Sequence, residues 1–133
     1  MKLLESNNKE EIQVFSLDEV YIKWDSNMTP EIYKKIEAEI KENGMYSPIL
    51  LLRMIPDEWK NDPKIVYNVP EGVKFINTIE YGSTRYRYAK ENGYTHIHGV
   101  VFTMIEALRL YEKKLNKWYR DWITSRGTTS YLD

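Results

Sequence analysis

An extended run from Lys74 to Tyr81 breaks at Gly82-Ser83-Thr84 and passes straight into a helical run that closes at Asn92-Gly93. This junction constrains the chain more than any other segment. Glycine allows the tight turn, the first N–H groups of a helix lack intrahelical acceptors, and Arg85 and Arg87 bring fork-shaped positive charge to the same place. A phosphate group fits such a seat, with the backbone N–H groups of Ser83 and Thr84 completing the cradle. Serine and threonine at a helix start also serve as plain N-caps, and Arg85 also suits a surface salt bridge. For Arg87 the two roles are evenly balanced, because helical geometry can turn it away from Arg85.

Upstream, Glu39 to Leu51 reads as a helix ended by Gly44 and followed, after Pro48, by an apolar strand; downstream, Ala89 to Val101 ends a second helix at Gly93 and enters another strand. This ordered set resembles the N-terminal domain of the ParB/sulfiredoxin superfamily, whose pattern runs helix, Gly-x-x-x-Pro, apolar strand, second strand, Gly-Glu-Arg-Arg-x-Arg-x-Ala, helix, Gly, strand. Gly44 and Pro48 match the first box, and Gly82, Arg85, Arg87 and Ala89 match the second, over about Val14 to Phe102.

The resemblance implies an α+β fold: a ParB/sulfiredoxin-like mixed sheet with flanking helices, followed by a long C-terminal amphipathic helix. It also implies a nucleotide ligand, CTP or ATP with magnesium, whose phosphates sit on Gly82, Ser83, Thr84, Arg85 and Arg87, with Gly44, Ser47 and Pro48 as the opposite wall. DNA association and carriage by a phage or mobile element are secondary implications. Ser83 stands where the family has glutamate and Thr84 where it has the first arginine, so fewer cations meet the phosphate. Sulfiredoxin chemistry needs a cysteine, and the chain has none. The Glu-Asn-x-x-Arg segment and helix-turn-helix of the chromosome-partitioning members do not follow the second box.

The 133 residues, 42% hydrophobic and 14% aromatic, suit one domain with a substantial core. Residues 1–103 read as that domain and 104–133 as a helix and tail packed on it or on a second subunit. A net charge of −1 gives no global attraction for nucleic acid. Without cysteine there are no disulfides, thiolate catalysis or cysteine zinc sites. No segment reads as a secretory signal or a membrane span, so the expected location is the cytoplasm, that of the host if phage-borne. Asn27-Met28-Thr29, a glycosylation acceptor, is then without meaning.

Gln13 to Ser16 and Val20 to Trp24 read as short strands. Thr29-Pro30-Glu31 is a helix start, with Ile32, Tyr33, Ile36 and Ile40 at helical spacing as the packed face. The proline-rich stretch from Ile55 to Gly72 is longer than the family's connection; it is either a lid over a ligand or a surface flap whose Trp59 plugs the sheet edge. Thr103 to Glu106 reads as a capping box. Met104, Leu108, Tyr111, Leu115, Trp118 and Trp122 then form a heptad-like seam, expected to bury against the domain or to form a homodimer. Beside it, Arg109, Lys113, Lys114, Lys117, Arg120 and Arg126 outnumber Glu106, Glu112 and Asp121.

His96 and His98 share one face of a strand but have no third ligand anchored by a motif, and no metal site is assigned. Among Glu37, Glu39, Glu42 and Glu80, the last lies nearest the phosphate box, though spacing singles out no catalyst. Three functions stay open: a nucleotide-binding protein; a nucleoside triphosphatase, kinase or nuclease on the same box; and a protein-interaction module with an empty pocket. Weak, sequence-independent nucleic-acid binding would fall to Lys113, Lys114, Lys117 and Arg120.

Overall fold

The computed structural model describes residues 1–7, 10–22, 29–66 and 69–125. Six strands, β1 (Leu3–Leu4), β2 (Gln13–Ser16), β3 (Val20–Ile22), β4 (Ile49–Met54), β5 (Ile76–Tyr81) and β6 (His96–Phe102), form one mixed sheet. Strand β6 pairs antiparallel with β2 and parallel with both β1 and β4; β5 pairs antiparallel with β4 and parallel with β3. The chain is α+β, with helices on both sides of the sheet.

Why the central strand is buried on both sides is legible in its residues. Ile49, Leu50, Leu51 and Leu52 form an unbroken apolar run, as a strand between two helical layers requires. Ile49 and Leu51, with Ile79 and Ile97, pack against Tyr33 and Ile40 of α1 (Pro30–Asn43) and against Tyr86 and Ala89 of α4 (Ser83–Glu91). Leu50, Leu52, Met54, Ile76 and Val100 pack against Leu108 and Leu115 of α5 (Ile105–Ser125).

Helix α1 begins as its sequence predicts: the Thr29 hydroxyl accepts from the Ile32 N–H at 3.3 Å, and Pro30 occupies the first turn. It ends at Gly44, whose φ of +81° and N–H to the Ile40 carbonyl close the last turn. Between β4 and β5 lie two short helices, α2 (Pro56–Trp59) and α3 (Pro63–Val66). Trp59 is only 5% exposed and packs with Ile65 in the α5-side core, against the face of the sheet rather than at an edge strand.

Several sequence expectations shift. The two-residue strand β1 arises in a polar N-terminal stretch, because Leu4 is buried beside Ile97. Lys74 and Phe75 precede β5 rather than start it. The expected continuation of β3 into Lys23 and Trp24, the Asn27-Met28 part of the acceptor motif and Arg126 lie outside the described residues. The capping box does not form: α5 starts at Ile105, the Leu108 N–H bonds the Met104 carbonyl, and Thr103 and Glu106 make no bond to each other among the described residues. A box-like bond occurs instead at α2, where the Glu58 carboxylate accepts from the Ile55 N–H at 2.9 Å.

The α5 seam lies against its own chain. Leu108 and Leu115 are fully buried, Tyr111 and Trp118 partly so, while Met104, at 62% exposure, falls outside the seam. Leu115→Ala should therefore cost about 2–5 kcal/mol in denaturant unfolding, through lost burial and a residual cavity. Leu110, 69% exposed on the opposite face, should change stability by less than about 0.5 kcal/mol when replaced by alanine. Equal effects at the two positions would contradict this packing.

Candidate functional site

Strand β5 delivers its last residues to the site through a register shift. Leu51 pairs with Ile79 but Leu50 pairs with Tyr81, leaving Glu80 as an extra residue. Such a bulge re-aims the side chain that follows it. Tyr81 is thereby turned toward α5, where its hydroxyl hydrogen-bonds the Asn116 side-chain oxygen at 3.1 Å. Glu80, almost wholly buried, accepts from Arg109 of α5 at 3.3 Å. The glutamate nearest the phosphate box is thus tied to the packing of α5.

Gly82 then turns the chain with φ +108° and ψ +22°, a conformation that L side chains rarely adopt. A Cβ there would stand 2.6 Å from Ile49 Cγ2 and 2.8 Å from Arg85 Nη2. The Tyr86 N–H bonds the Gly82 carbonyl at 3.0 Å and so begins the α4 ladder. The N–H groups of Ser83 and Arg85 precede that first bond and stand outside the α4 ladder.

Arg85 folds back from α4 to the loop that begins β4. Its Nη1 donates to the Ser47 carbonyl, to Ser47 Oγ at 2.6 Å and to the Pro48 carbonyl at 3.2 Å. The guanidinium lies over the Tyr81 ring, 4.8 Å from its centroid. Burial pushes its pKa down from the ordinary value, and the nearby Tyr81 and Tyr119 oppose that shift. No carboxylate pairs with it among the described residues, and Nε and Nη2 make no hydrogen bond there. Hence a half-buried cation without a carboxylate among the described residues stands beside the start of a helix, with Nη2 close to Gly82.

An aromatic cluster borders this seat. Tyr46, next to Ser47, stacks on Trp122 at 4.9 Å and lies 5.1 Å from Tyr119, ring centroid to ring centroid. Burial, reinforced by Asp121 and Tyr81, raises the Tyr46 pKa. The last turns of α5 are thus fastened to the same loop that holds Arg85.

Of the residues expected at the site, Gly82, Ser83, Thr84, Arg85, Ser47 and Pro48 come together. Gly44 does not: it terminates α1, and its added Cβ would meet Asn7. Arg87 leaves as well. Its Nε pairs with Glu91 at 3.0 Å and its guanidinium lies over the Tyr33 ring at 4.5 Å, since residues two apart diverge around a helix. The Tyr33 hydroxyl donates to the other Glu91 oxygen at 2.7 Å. The Tyr33 bond and Arg87 hold the Glu91 carboxyl below its usual range. Glu91 therefore favours the fold at neutral pH and loses that contribution as pH falls through its depressed pKa.

Lys113, Lys117 and Arg120 line a shallow depression with Asn116 and Asp121, whereas Lys114 lies over the Trp118 ring at 4.7 Å. The histidines are separated in role: His98 is buried and its Nδ1 accepts from the Ser6 N–H at 3.0 Å, while His96 Nδ1 meets the Thr95 hydroxyl at 2.8 Å. Among the described residues no group of three or more His, Asp or Glu side chains could hold a metal ion. Tyr81, Tyr46 and Asn116 escaped the sequence reading; only the bulge and the docking of α5 give them their places.

No family model matches the chain, and no curated protein matches it. Among solved structures, a sulfiredoxin from Arabidopsis thaliana is similar, with a TM-score of 0.47 at 16% identity over 74% of this chain and 92% of that one. No helix among the described residues is long and apolar enough to cross a membrane.

Gly82→Ala tests the junction. It should destabilise by about 2–4 kcal/mol in urea unfolding, combining a left-handed backbone with a clash against Ile49. Gly72 also has a positive φ, +83°, but nothing within 4 Å of an added Cβ, so Gly72→Ala should cost only about 1–2 kcal/mol. A Gly82→Ala protein as stable as the Gly72 variant would show that close approach at Ile49 is unimportant.

Proposed function

We propose that this chain binds the phosphate groups of a nucleotide at the Gly82–Arg85 junction. One observation carries the reading: Arg85 is a half-buried cation without a carboxylate among the described residues, and its Nη2 lies close to Gly82 at the start of α4. A buried charge lacking a counter-ion is unfavourable, and carbonyl oxygens solvate it without neutralising it. A phosphate supplies both the missing charge and acceptors for the unused donors, with the α4 dipole adding to the attraction. Ser47 Oγ and the backbone of Ser83 and Thr84 are the neighbouring groups able to orient it.

The order of the two sequence boxes supports a nucleotide, CTP or ATP, over a simple anion. Magnesium would be carried by the phosphates themselves, in keeping with the habit of that ion of using substrate oxygens and water. Catalysis is not part of the proposal, because Glu80, the carboxylate nearest in sequence, is engaged by Arg109.

Thermal unfolding with CTP, ATP, GTP and inorganic pyrophosphate, each with and without magnesium, tests the reading. A ligand at 100 times its Kd stabilises the fold by about 2.7 kcal/mol. Arg85→Lys, which keeps a charge but loses the fork, should weaken binding roughly tenfold or more with an unchanged circular dichroism spectrum. Arg85→Ala should lose about 1.5–3 kcal/mol of binding. If no phosphate compound raises the melting temperature at millimolar concentration, Arg85 only pins the Ser47-Pro48 loop and the proposal fails.

A further inference from the structure

The loop that Arg85 grips is held from its other side by the N-terminal segment. Between the end of α1 at Asn43 and the start of β4 at Ile49 the chain belongs to no helix or strand. Its position therefore depends on what its backbone carbonyls meet. Arg85 takes those of Ser47 and Pro48. The preceding carbonyls go to the residues just after β1. The Asn7 N–H donates to the Met45 carbonyl at 2.7 Å and Asn7 Nδ2 to the Asn43 carbonyl at 2.8 Å, while the Ser6 hydroxyl reaches the Tyr46 carbonyl at 3.4 Å. Ser6 also forms a parallel bridge with Met45.

His98 of β6 fixes this segment in turn. Strand β1 pairs with β6 only through Leu3 and Leu4, opposite His96 and Ile97. Past that short ladder the next attachment to β6 is a side chain: the Ser6 N–H donates to His98 Nδ1 at 3.0 Å, with Ser6 1% and His98 6% exposed. A buried N–H that loses its acceptor is unfavourable. Removing the imidazole acceptor therefore favours release of Ser6 to water, and the Asn7 bonds to the loop go with it.

These bonds form a continuous physical path from His98 through Ser6 and Asn7 to the Asn43–Tyr46 carbonyls, and from there to Ser47, Pro48 and Arg85. The dipoles that solvate the Arg85 guanidinium stand in place only while the loop does. A displaced loop would leave that cation half-buried without them, which is costly. Docking of the N-terminal segment and the inward pose of Arg85 thus favour each other. An anion that binds the inward pose favours the docked segment by the same factor.

We infer that Ser6, Asn7 and His98 are positioning residues of the Arg85 seat, and that docking of the N-terminal segment controls the affinity of the seat for phosphate. This inference rests on phosphate binding at the Gly82–Arg85 junction and names what regulates it. None of the three residues touches the anion; each acts through the loop.

Amide hydrogen exchange of the unaltered chain, with and without saturating pyrophosphate, provides the first test. The Leu17 N–H, bonded to the Thr95 carbonyl at 3.0 Å, serves as the reference outside the path. Pyrophosphate should slow exchange at Ser6 and Asn7 by about fivefold more than at Leu17, the low end of coupling between sites. Titration of variants is the second test. His98→Leu should weaken pyrophosphate binding by about fivefold or more, whereas His98→Asn, whose side-chain oxygen can take the place of Nδ1, should restore most of the loss. If His98→Leu fails to fold, the exchange measurement decides alone. If pyrophosphate binds through Arg85 but slows Ser6 and Asn7 no more than Leu17, or if His98→Leu binds it as the unaltered chain does, the inference is overturned while phosphate binding stands. If pyrophosphate does not bind, both fall.

Discussion

The contact of Arg85 with Ser47 and Pro48 is the bond on which the site depends. One guanidinium nitrogen joins the first turn of α4 to the loop that opens β4, and the face of the same group rests on Tyr81. Hydrogen bonds from a charged donor are worth about 1.5–3 kcal/mol each when desolvated, enough to fix the loop. They leave the charge itself uncancelled. That distinction matters, because a cation solvated by dipoles but not neutralised still attracts an anion, and the rigid carbonyls hold it in place for one.

Two arginines of one helix show how geometry gives similar residues different surroundings. Arg87 turns outward to Glu91 and the Tyr33 ring, and so ties α4 to α1. Arg85 turns inward toward the sheet. The backbone that permits this is Gly82, where a side chain would strike both Ile49 and Arg85. Helix α5 completes the arrangement through Asn116 on Tyr81 and through the stacking of Trp122 on Tyr46, so the covering helix and the seat share their contacts.

Much of this was readable in the residues. Thr29-Pro30 marks the start of α1, Gly44 its end, the apolar run at Ile49 a strand buried on both faces, and Gly82-Ser83-Thr84 the turn into α4. Local chemistry governs each of these. The meeting of Arg85 with Ser47 was implied only by the resemblance, because 38 residues separate them. The role of Tyr81 was hidden, since strict alternation along β5 puts it on the face of Ile79, and a one-residue bulge reverses it. Arg87 was evenly balanced in the sequence because its fate depends on Tyr33, which helix packing brings alongside. The missing capping box at Thr103 belongs here too: the helix begins at Ile105, one residue later than a cap at Thr103 requires.

The central claim is that phosphate meets Arg85 and the first N–H groups of α4. A two-dimensional ¹H–¹⁵N NMR titration of the labelled chain with pyrophosphate observes those groups directly. The account predicts that the backbone amides of Ser83, Thr84 and Arg85 and the Arg85 Nε–H move first and saturate together, while Arg87 Nε–H, held by Glu91, stays in place. Saturable shifts centred on Arg87 or elsewhere, with the Ser83–Arg85 amides unmoved, would contradict it.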